Sequence, residues 1–324
     1  MASSALSLAL APAISLILVL ALGGPTIAWL RRLGAGQRVR DDGPQRHLQK
    51  EGTPTMGGML MVGAAVVAAI ATQRWQTRTL TLEMIVLLAA TLAFGCIGAA
   101  DDWLKIHRGR SLGLRARQKL ALQVVVGIGF AFALAGRQAL GAASMTPTAD
   151  PLSPPWSVFW LLAIVGTSNA VNLSDGLDGL ATGLCAIAAA GFGLLAMRDG
   201  NGEVAVLATA LLGACLGFLF YNRHPARVFM GDVGSLALGG ALAAMAAWLD
   251  NPVALIGLCL IPFLEAGSVA IQVASFKTTG KRVFKMSPIH HHFELSGWSE
   301  QKVVYTFWAV GAVAAALTVW MYLR

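Results

Sequence analysis

The sequence predicts an all-α integral membrane protein of about ten transmembrane helices, and three observations support this fold class. The 324-residue chain is 56% hydrophobic and 12% charged, whereas soluble domains carry about 25% charged residues. Its apolar residues form ten stretches, and a helix crosses a bilayer with roughly 20 such residues. Its basic residues are concentrated in alternate connections between these stretches. Lipid is therefore expected to be the main solvent of the chain.

The ten stretches give the order of the predicted spans. Only a helix or a closed barrel satisfies its own backbone hydrogen bonds inside a bilayer. The fifth stretch runs into Asn169 and Asn172, which are unusual residues for a span. The predicted spans are 6–30, 56–73, 80–100, 119–136, 156–172, 177–197, 203–221, 233–249, 252–276 and 303–323.

Charge sets the predicted orientation. The connections after spans one, three, seven and nine hold 19 of the 24 lysines and arginines. Basic loops stay in the cytoplasm, so both termini are expected outside. The net charge of +8 is mostly this topology signal, and it does not indicate a nucleic-acid partner.

Histidines and several carboxylates lie on that same predicted side. A purely structural role would scatter polar residues over both faces, so this distribution predicts an active site at the cytoplasmic face. The histidines are His47, His107, His224, His290, His291 and His292, and the carboxylates are Asp101, Asp102, Asp175, Asp178 and Asp232.

Asp101 and Asp102 stand together at the end of span three. Two adjacent carboxylates are costly near lipid, which favours a functional role. The alternative is that they mark the water interface, with Asp101 and Lys105 forming a helical ion pair at i,i+4 spacing. The motif alone leaves both interpretations open.

Residues 168–180 interrupt an apolar region with two asparagines, two aspartates and two glycines. If Asp175 and Asp178 lie on a helix, their i,i+3 spacing places both carboxylates on one face. The glycines allow a ligand to approach the backbone closely. A polar turn would not require so many carboxylate and carboxamide groups, so we interpret this segment as a binding site.

Asp232 opens span eight, where it could cap the helix. The same position suits a Mg²⁺ ligand, because Mg²⁺ takes one or two carboxylates together with phosphate oxygens. The free N–H groups at the start of a helix also favour phosphate.

The string Ser287–Glu294 contains three consecutive histidines. A regular helix or strand cannot aim all three at one ion, which argues against a structural zinc site. A loop could direct one or two of them at a phosphate, as donors or as acid–base groups. Glu265, which follows Pro262 inside span nine, is an intramembrane carboxylate at a predicted kink. It is either functional or the satisfied partner of a buried group.

Together these strings resemble one family. They are GTPTMGG at 52–58, ADDWLK at 100–105, NAVNLSDGLDGLA at 169–181, FMGDVGSLALGG at 229–240 and SPIHHHFE at 287–294. In this order they are similar to the phospho-N-acetylmuramoyl-pentapeptide transferases of the polyprenyl-phosphate N-acetylhexosamine-1-phosphate transferase superfamily. The triple histidine with Phe293 and Glu294 resembles this branch rather than the branch that transfers GlcNAc-1-phosphate.

The resemblance implies a single transferase domain, residues 1–324, in the bacterial cytoplasmic membrane. It implies transfer of phospho-MurNAc-pentapeptide from its UDP carrier to undecaprenyl phosphate, with Mg²⁺ as cofactor and with UMP and lipid I as products. A homodimer is left open, as is the choice between one-step displacement and an aspartyl-phosphate intermediate.

The resemblance also assigns site residues, although Ser174 stands where the family commonly has threonine. The implied catalytic residues are Asp101, Asp102, Asp232 and His290, with either Arg117 or Lys119 as an important basic residue. The implied metal ligands are Asp232 with help from Asp102 or Asp175. The implied substrate-binding residues are Lys50, Thr55, Asn169, Asn172, Asp175, Asp178, Asn222, Phe229, Ser235, Gln272, His291 and His292.

Two alternatives remain at this point. One is a related transferase that uses another UDP-N-acetylhexosamine. The other is a membrane transporter, which would place charges near the bilayer midplane and show related halves. Glu265 is the main charge that fits a transporter, since the other acidic groups lie at predicted span boundaries.

Overall fold

The structure is a computed structural model that describes residues 2–36, 50, 52–108, 113–139 and 154–324. The basic residues Arg38, Arg40, Arg46 and Arg110, and also His47, lie outside these ranges. The described residues form helices and no strand, apart from one isolated bridge between Gly36 and Pro54. The helices are α1 (Ala2–Arg32), α2 (Gly58–Thr77), α3 (Leu82–Arg108), α4 (Ala116–Ala139), α5 (Pro154–Ser174), α6 (Leu180–Arg198), α7 (Gly202–Asn222), α8 (Gly231–Trp248), α9 (Pro252–Leu258), α10 (Leu260–Thr279), α11 (Ile289–Glu294) and α12 (Glu300–Leu323).

Helix α8 is the centre of the bundle. Every residue from Val233 to Trp248 is buried, and α8 packs most extensively against α3 and α5. Glycines make this close approach possible, because a methyl group on Gly98 would overlap the backbone of Asp232 and one on Gly239 would overlap Ser168. Small residues at helix interfaces let backbones approach, which is the usual basis of packing in membranes.

The outer helices carry large apolar side chains on their exposed faces, among them Ile17, Phe132 and Val313. Among the described residues, eight helices are long and apolar enough to cross a membrane, or nine if the bent pair α9 and α10 forms one span. The chain is therefore a multi-pass membrane protein. Helix α8 corresponds to predicted span eight but is not in that count; it has 18 residues, and Asp232 is its second residue.

Predicted span nine is broken, but not at Pro262. The break falls at Cys259, where α9 and α10 meet at an angle of 81°. Pro262 lies in the first turn of α10, where a residue without an N–H removes no helical hydrogen bond. The bend lies between the two helices. Pro262 lies in the first turn of the second helix and does not kink one long helix.

Polar contacts define one end of the bundle, which we call the distal end. There the Arg137 guanidinium donates to the carbonyl oxygen of Trp248 at 2.7 Å. The Trp156 indole donates to Asp250 at 3.1 Å, and the Tyr322 hydroxyl donates to Asn251 at 2.6 Å. The ends of α4, α8 and α12 thus meet the start of α5. Helix α8 consequently runs from this distal end to the opposite end, where the candidate site lies.

Candidate active site

Three carboxylates from α3 and α8 meet at the end of the bundle opposite the distal end. Helix α3 continues past the predicted end of its span to Arg108, so Asp101 and Asp102 lie within the helix and not in a connection. Asp232 is the second residue of α8 and does not cap it, which corrects the capping interpretation. Oxygen atoms of Asp101, Asp102 and Asp232 all lie within 4.8 Å of one another. We call these three residues the aspartate cluster.

Lys105 contacts all three members of the aspartate cluster. Its Nζ lies 2.7 Å from Asp101 Oδ2, 3.3 Å from Asp102 Oδ1 and 2.9 Å from Asp232 Oδ2. The i,i+4 pair expected from the sequence is therefore present. The contact with Asp232, 127 positions along the chain, could not be seen from the local pattern.

A second lysine reaches the same carboxylate from α4. Lys119 Nζ lies 2.8 Å from Asp232 Oδ2 and 3.4 Å from the side-chain oxygen Oδ1 of Asn172. Asn172 donates to Asp232 Oδ1 and to the Ser235 hydroxyl, both at 2.8 Å. Arg117 is exposed. Of the two basic residues left open by the sequence, Lys119 is the one that enters the site.

Backbone groups fix the two aspartates of α3. The Leu114 N–H donates to Asp101 Oδ1 at 2.8 Å, and the Val233 N–H donates to Asp102 Oδ2 at 3.1 Å. Gly231 adopts a φ of 73°, a left-handed conformation that glycine adopts without strain. A methyl group there would overlap Asp102 and crowd the Thr55 hydroxyl. Thr55 thus lies beside the cluster.

Asp175 and Asp178 do not share a helical face, contrary to the expectation from their spacing. Helix α5 ends at Ser174 and α6 starts at Leu180, and Gly179 between them has a φ of 78°. The two carboxylates consequently serve different parts of the site. Burial raises the pKa of the Asp175 carboxyl well above its usual range, and the nearby negative charges of Asp232 and Asp102 raise it further.

Asp178 belongs to a second cluster, which the sequence did not predict. Its Oδ1 lies 2.7 Å from Lys50 Nζ, and its Oδ2 lies 3.2 Å from His224 Nδ1. Glu300 Oε1 accepts from the Asp178 N–H at 2.8 Å and lies 2.6 Å from Lys50 Nζ. We call Asp178, His224 and Glu300 the Asp178 cluster. It joins segments up to 250 positions apart.

The three histidines form the short helix α11 with their neighbours, and each has a different partner. His290 Nδ1 lies 3.1 Å from Glu265 Oε2, and His291 Nδ1 lies 2.8 Å from Glu294 Oε2. The ring of His292 accepts from the Lys285 N–H at 3.1 Å. The three imidazoles therefore have three separate partners.

Several other predicted residues make hydrogen bonds within the protein. Asn222 donates to the Val228 carbonyl at 3.0 Å and accepts from Thr182 at 2.7 Å, which holds the connection after α7. Gln272 accepts from the Val283 and Phe284 N–H groups at 3.0 and 2.9 Å. Asn169 pairs with Gln123 at 2.8 Å, and the Phe229 N–H donates to Pro54 at 2.8 Å. These residues shape the loops around the two clusters.

The chemistry of the aspartate cluster suits a hard cation. Mg²⁺ prefers carboxylate oxygens, and the cluster offers three carboxylates. The Lys105 ammonium already places a positive charge within 3.3 Å of all of them, which shows that the geometry accommodates a cation. His224, Asp178 and Glu300 form another group whose ligand atoms lie within 4.8 Å. Both clusters could therefore hold a metal ion.

Comparisons with known proteins place the chain in a family. The family described as "Glycosyl transferase family 4" matches residues 84–250. The phospho-N-acetylmuramoyl-pentapeptide-transferase of Desulforamulus reducens is 48% identical, over 92% of this chain and 91% of the relative. The proteins of that name from Halalkalibacterium halodurans and Geobacillus kaustophilus are 45% and 44% identical, with at least 95% of each chain covered. The chain therefore belongs to the phospho-N-acetylmuramoyl-pentapeptide-transferase family.

Proposed function

We propose that this protein transfers phospho-N-acetylmuramoyl-pentapeptide from its UDP carrier to undecaprenyl phosphate, releasing UMP and forming lipid I. The observation that carries the proposal is the aspartate cluster, with two lysines bound to its carboxylates at one end of a membrane bundle. The substrates follow from the names of the relatives. Those names favour this reaction over transfer of another N-acetylhexosamine phosphate. The gathering of acidic groups at one end favours a transferase over a transporter.

The proposed location is the inner membrane of a bacterium, with ten crossings and both termini outside. Helix α8 supports the tenth crossing, because it starts at the aspartate cluster and ends beside the distal end of α4. The site end also gathers Lys50, Lys105 and Lys119, and positive charge stays in the cytoplasm. The whole chain, 1–324, acts as one domain in this proposal, and a homodimer stays a prediction.

Asp232 and Asp102 would hold Mg²⁺, and Asp101 lies within reach of the same ion. When bound, the ion would offset the negative charge of the diphosphate. Asp175 was a predicted ligand. It follows three residues after Asn172, which donates to Asp232, so we place it at the edge of this site.

The protein's own residues then position the two phosphate groups. Repulsion between an attacking phosphate and a diphosphate is the first obstacle, and fixed cations reduce it. Lys105 and Lys119 supply two such charges at the same oxygen of Asp232, Oδ2, and would turn toward phosphate oxygens. Asp101, held by the Leu114 N–H, would orient the lipid phosphate for a one-step displacement.

A two-step reaction through an aspartyl phosphate is the rival route. The two routes differ in what the enzyme does with the UDP donor alone. Phosphorylated enzyme trapped with donor and no lipid acceptor would exclude the one-step reaction.

The uridine end of the donor would lie toward the Asp178 cluster. Lys50 contacts Asp178 there, and the Ala226 N–H, from the connection between Asn222 and Phe229, donates to Asp178 at 2.9 Å. Asp178 and Asn222 are buried. Asn169, Asn172, Ser235 and Gln272 would support the walls between the two clusters. His290, His291 and His292 would lie toward the phosphates.

The test is UMP release from UDP-MurNAc-pentapeptide, measured with and without undecaprenyl phosphate. The wild-type protein should release UMP only with the lipid, and Asp232→Asn should lose at least about 100-fold in rate, or roughly 2.7 kcal/mol. Asp250→Asn is the matched control at the distal end, where Asp250 has a φ of 50° that asparagine tolerates. No UMP release by the wild-type protein, or near-normal turnover by Asp232→Asn, would contradict the proposal.

A further inference from the structure

A buried glutamate and a buried histidine face each other beside the active site. Glu265 is 0% exposed and His290 is 1% exposed, and Oε2 of Glu265 lies 3.1 Å from Nδ1 of His290. Glu265 belongs to the second turn of α10, whereas His290 belongs to α11. The pair thus links the bent ninth span to the histidine string.

The 3.1 Å approach is an ion-pair distance and lacks the alignment of a hydrogen bond. Both carboxylate oxygens of Glu265 and both ring nitrogens of His290 are without a hydrogen-bond partner in the described part of the chain. Buried polar side chains normally find one, so a site of this kind requires an explanation. A carboxylate deep in a membrane protein is expensive and usually has a function.

The free edge of the His290 ring points at the segment that carries Asp175. A methyl group on Gly176 would overlap His290 Nε2, so this nitrogen lies against the backbone beside Asp175. Asn172, three residues before Asp175, donates to Asp232 Oδ1 at 2.8 Å, which places this segment next to the aspartate cluster. His290 therefore has Glu265 on its Nδ1 side and the wall of the active site on its Nε2 side.

We propose that Glu265 is a positioning residue that acts through His290. When the donor binds, the Glu265 carboxylate accepts the Nδ1 proton of the imidazole, which fixes the tautomer and turns Nε2 toward the phosphates of the donor. Catalytic and metal-bound histidines are commonly oriented in this way by a carboxylate on their second nitrogen. The inference rests on the proposed transferase reaction, because it assigns His290 to the phosphates.

The bend between α9 and α10 gives this arrangement a structural basis. Helix α10 contacts both α5 and α11, so it connects the segment before Asp175 with the segment that carries His290. A straight continuation of α9 would not follow the path that α10 takes after its 81° turn. The broken span therefore brings a carboxylate to the histidine from the membrane side.

The experiment is a double-mutant cycle on the full-length protein in detergent, with the UMP-release assay and purified UDP-MurNAc-pentapeptide and undecaprenyl phosphate. The variants are Glu265→Gln, His290→Asn and the double variant, with Glu83→Gln as the matched control at the distal end of α3. Glutamine keeps the shape of the side chain and removes its charge. Asparagine at 290 keeps a group that can face Glu265 and removes Nε2. Coupling in such a cycle isolates an effect that one residue exerts through the other.

We expect Glu265→Gln to lower kcat about tenfold with KM for both substrates within about twofold, because the loss is confined to the chemical step. In the His290→Asn background the same substitution should change kcat less than about twofold. Glu83→Gln should match the wild-type protein.

Three results would overturn the inference while leaving the transferase proposal intact. They are unchanged kcat in Glu265→Gln, an equal loss of kcat in both backgrounds, and a lowered melting temperature that accounts for the loss of activity. If Glu265→Gln does not fold, Glu265→Met replaces it, since its apolar side chain leaves no unpaired polar atom, and the same outcomes decide. Absence of UMP release by the wild-type protein would instead refute the transferase reaction itself.

Discussion

The aspartate cluster and the Asp178 cluster have similar ligand atoms but are built differently. Asp101, Asp102 and Asp232 come from two packed helices. Lys105 on α3 contacts all three, and Lys119 on α4 contacts Asp232. Asp178 and His224 lie in connections between helices, and Glu300 opens α12. The first cluster is thus carried by rigid elements, whereas the second ties connections together.

The two clusters also differ in the balance between carboxylates and basic groups. Three carboxylates face two lysines in the aspartate cluster, which leaves room for one more cation. In the Asp178 cluster, Lys50 contacts both carboxylates and His224 Nδ1 lies within 3.5 Å of both, so two carboxylates face one lysine and one histidine. Precise geometry on rigid elements suits reacting groups, and a clasp between loops suits substrate binding. We therefore assign the chemical step to the first cluster and the binding of the nucleotide to the second.

The largest effect on kcat is expected at Lys119. Comparison with Arg117 tests which of these two basic residues belongs to the aspartate cluster. Lys119→Gln should lower kcat by about 100-fold, or roughly 2.7 kcal/mol, because it removes one of the two cations on Asp232. Arg117→Gln is the matched control, since Arg117 is exposed and should stay within about threefold of the wild-type rate. Equal losses in both variants would refute the assignment of Lys119.

A smaller effect should follow from pushing α3 and α8 apart. A methyl group on Gly98 would overlap the backbone of Asp232, so Gly98→Ala should destabilise the fold by about 1–3 kcal/mol and should also lower activity. Gly129 on α4 has open space where its methyl group would go, and Gly129→Ala should be neutral or stabilising, by up to about 1 kcal/mol. Melting temperatures in detergent, read alongside UMP release, check both. A Gly98→Ala protein with wild-type stability and rate would show that the two helices are not held this closely.

The smallest effect is expected in the Asp178 cluster. Glu300→Gln removes the charge that faces Lys50 but keeps an oxygen for the Asp178 N–H, so KM for the UDP donor should rise about fivefold, or roughly 1 kcal/mol. The value of kcat should stay within about twofold, because a binding contact shared by ground state and transition state affects KM alone. Steady-state kinetics with Glu203→Gln as control measure this. A fall in kcat with unchanged KM would place the second cluster in the chemical step.

Much of the fold could be predicted from the sequence, because spans are specified by local apolar runs. The end of helix α3 was harder to predict, because Asp101 and Asp102 resemble the boundary of a span although the helix continues to Arg108. The break before α10 could not be placed, because Pro262 is the local signal and the bend lies at Cys259.

Site residues that belong to a local sequence motif could be predicted. Site residues that depend on contacts between distant parts of the chain could not. Asp232 and the aspartate pair were recognised, but the contact of Lys105 with Asp232 arises only when α3 packs on α8. Glu300 carries no local signal, because its partners are 122 and 250 positions away. The helical pairing of Asp175 with Asp178 was wrong, because α5 ends at Ser174 and both residues lie in the connection before α6.

The most direct test of the account asks which cluster holds the divalent cation. Mn²⁺ binding to the full-length protein, followed by electron paramagnetic resonance as a stand-in for Mg²⁺, should be compared in Asp232→Asn and Asp178→Asn. We expect Asp232→Asn to weaken Mn²⁺ binding at least about tenfold, which is about 1.4 kcal/mol, and Asp178→Asn to bind as the wild-type protein does. Normal binding in Asp232→Asn together with lost binding in Asp178→Asn would contradict the account.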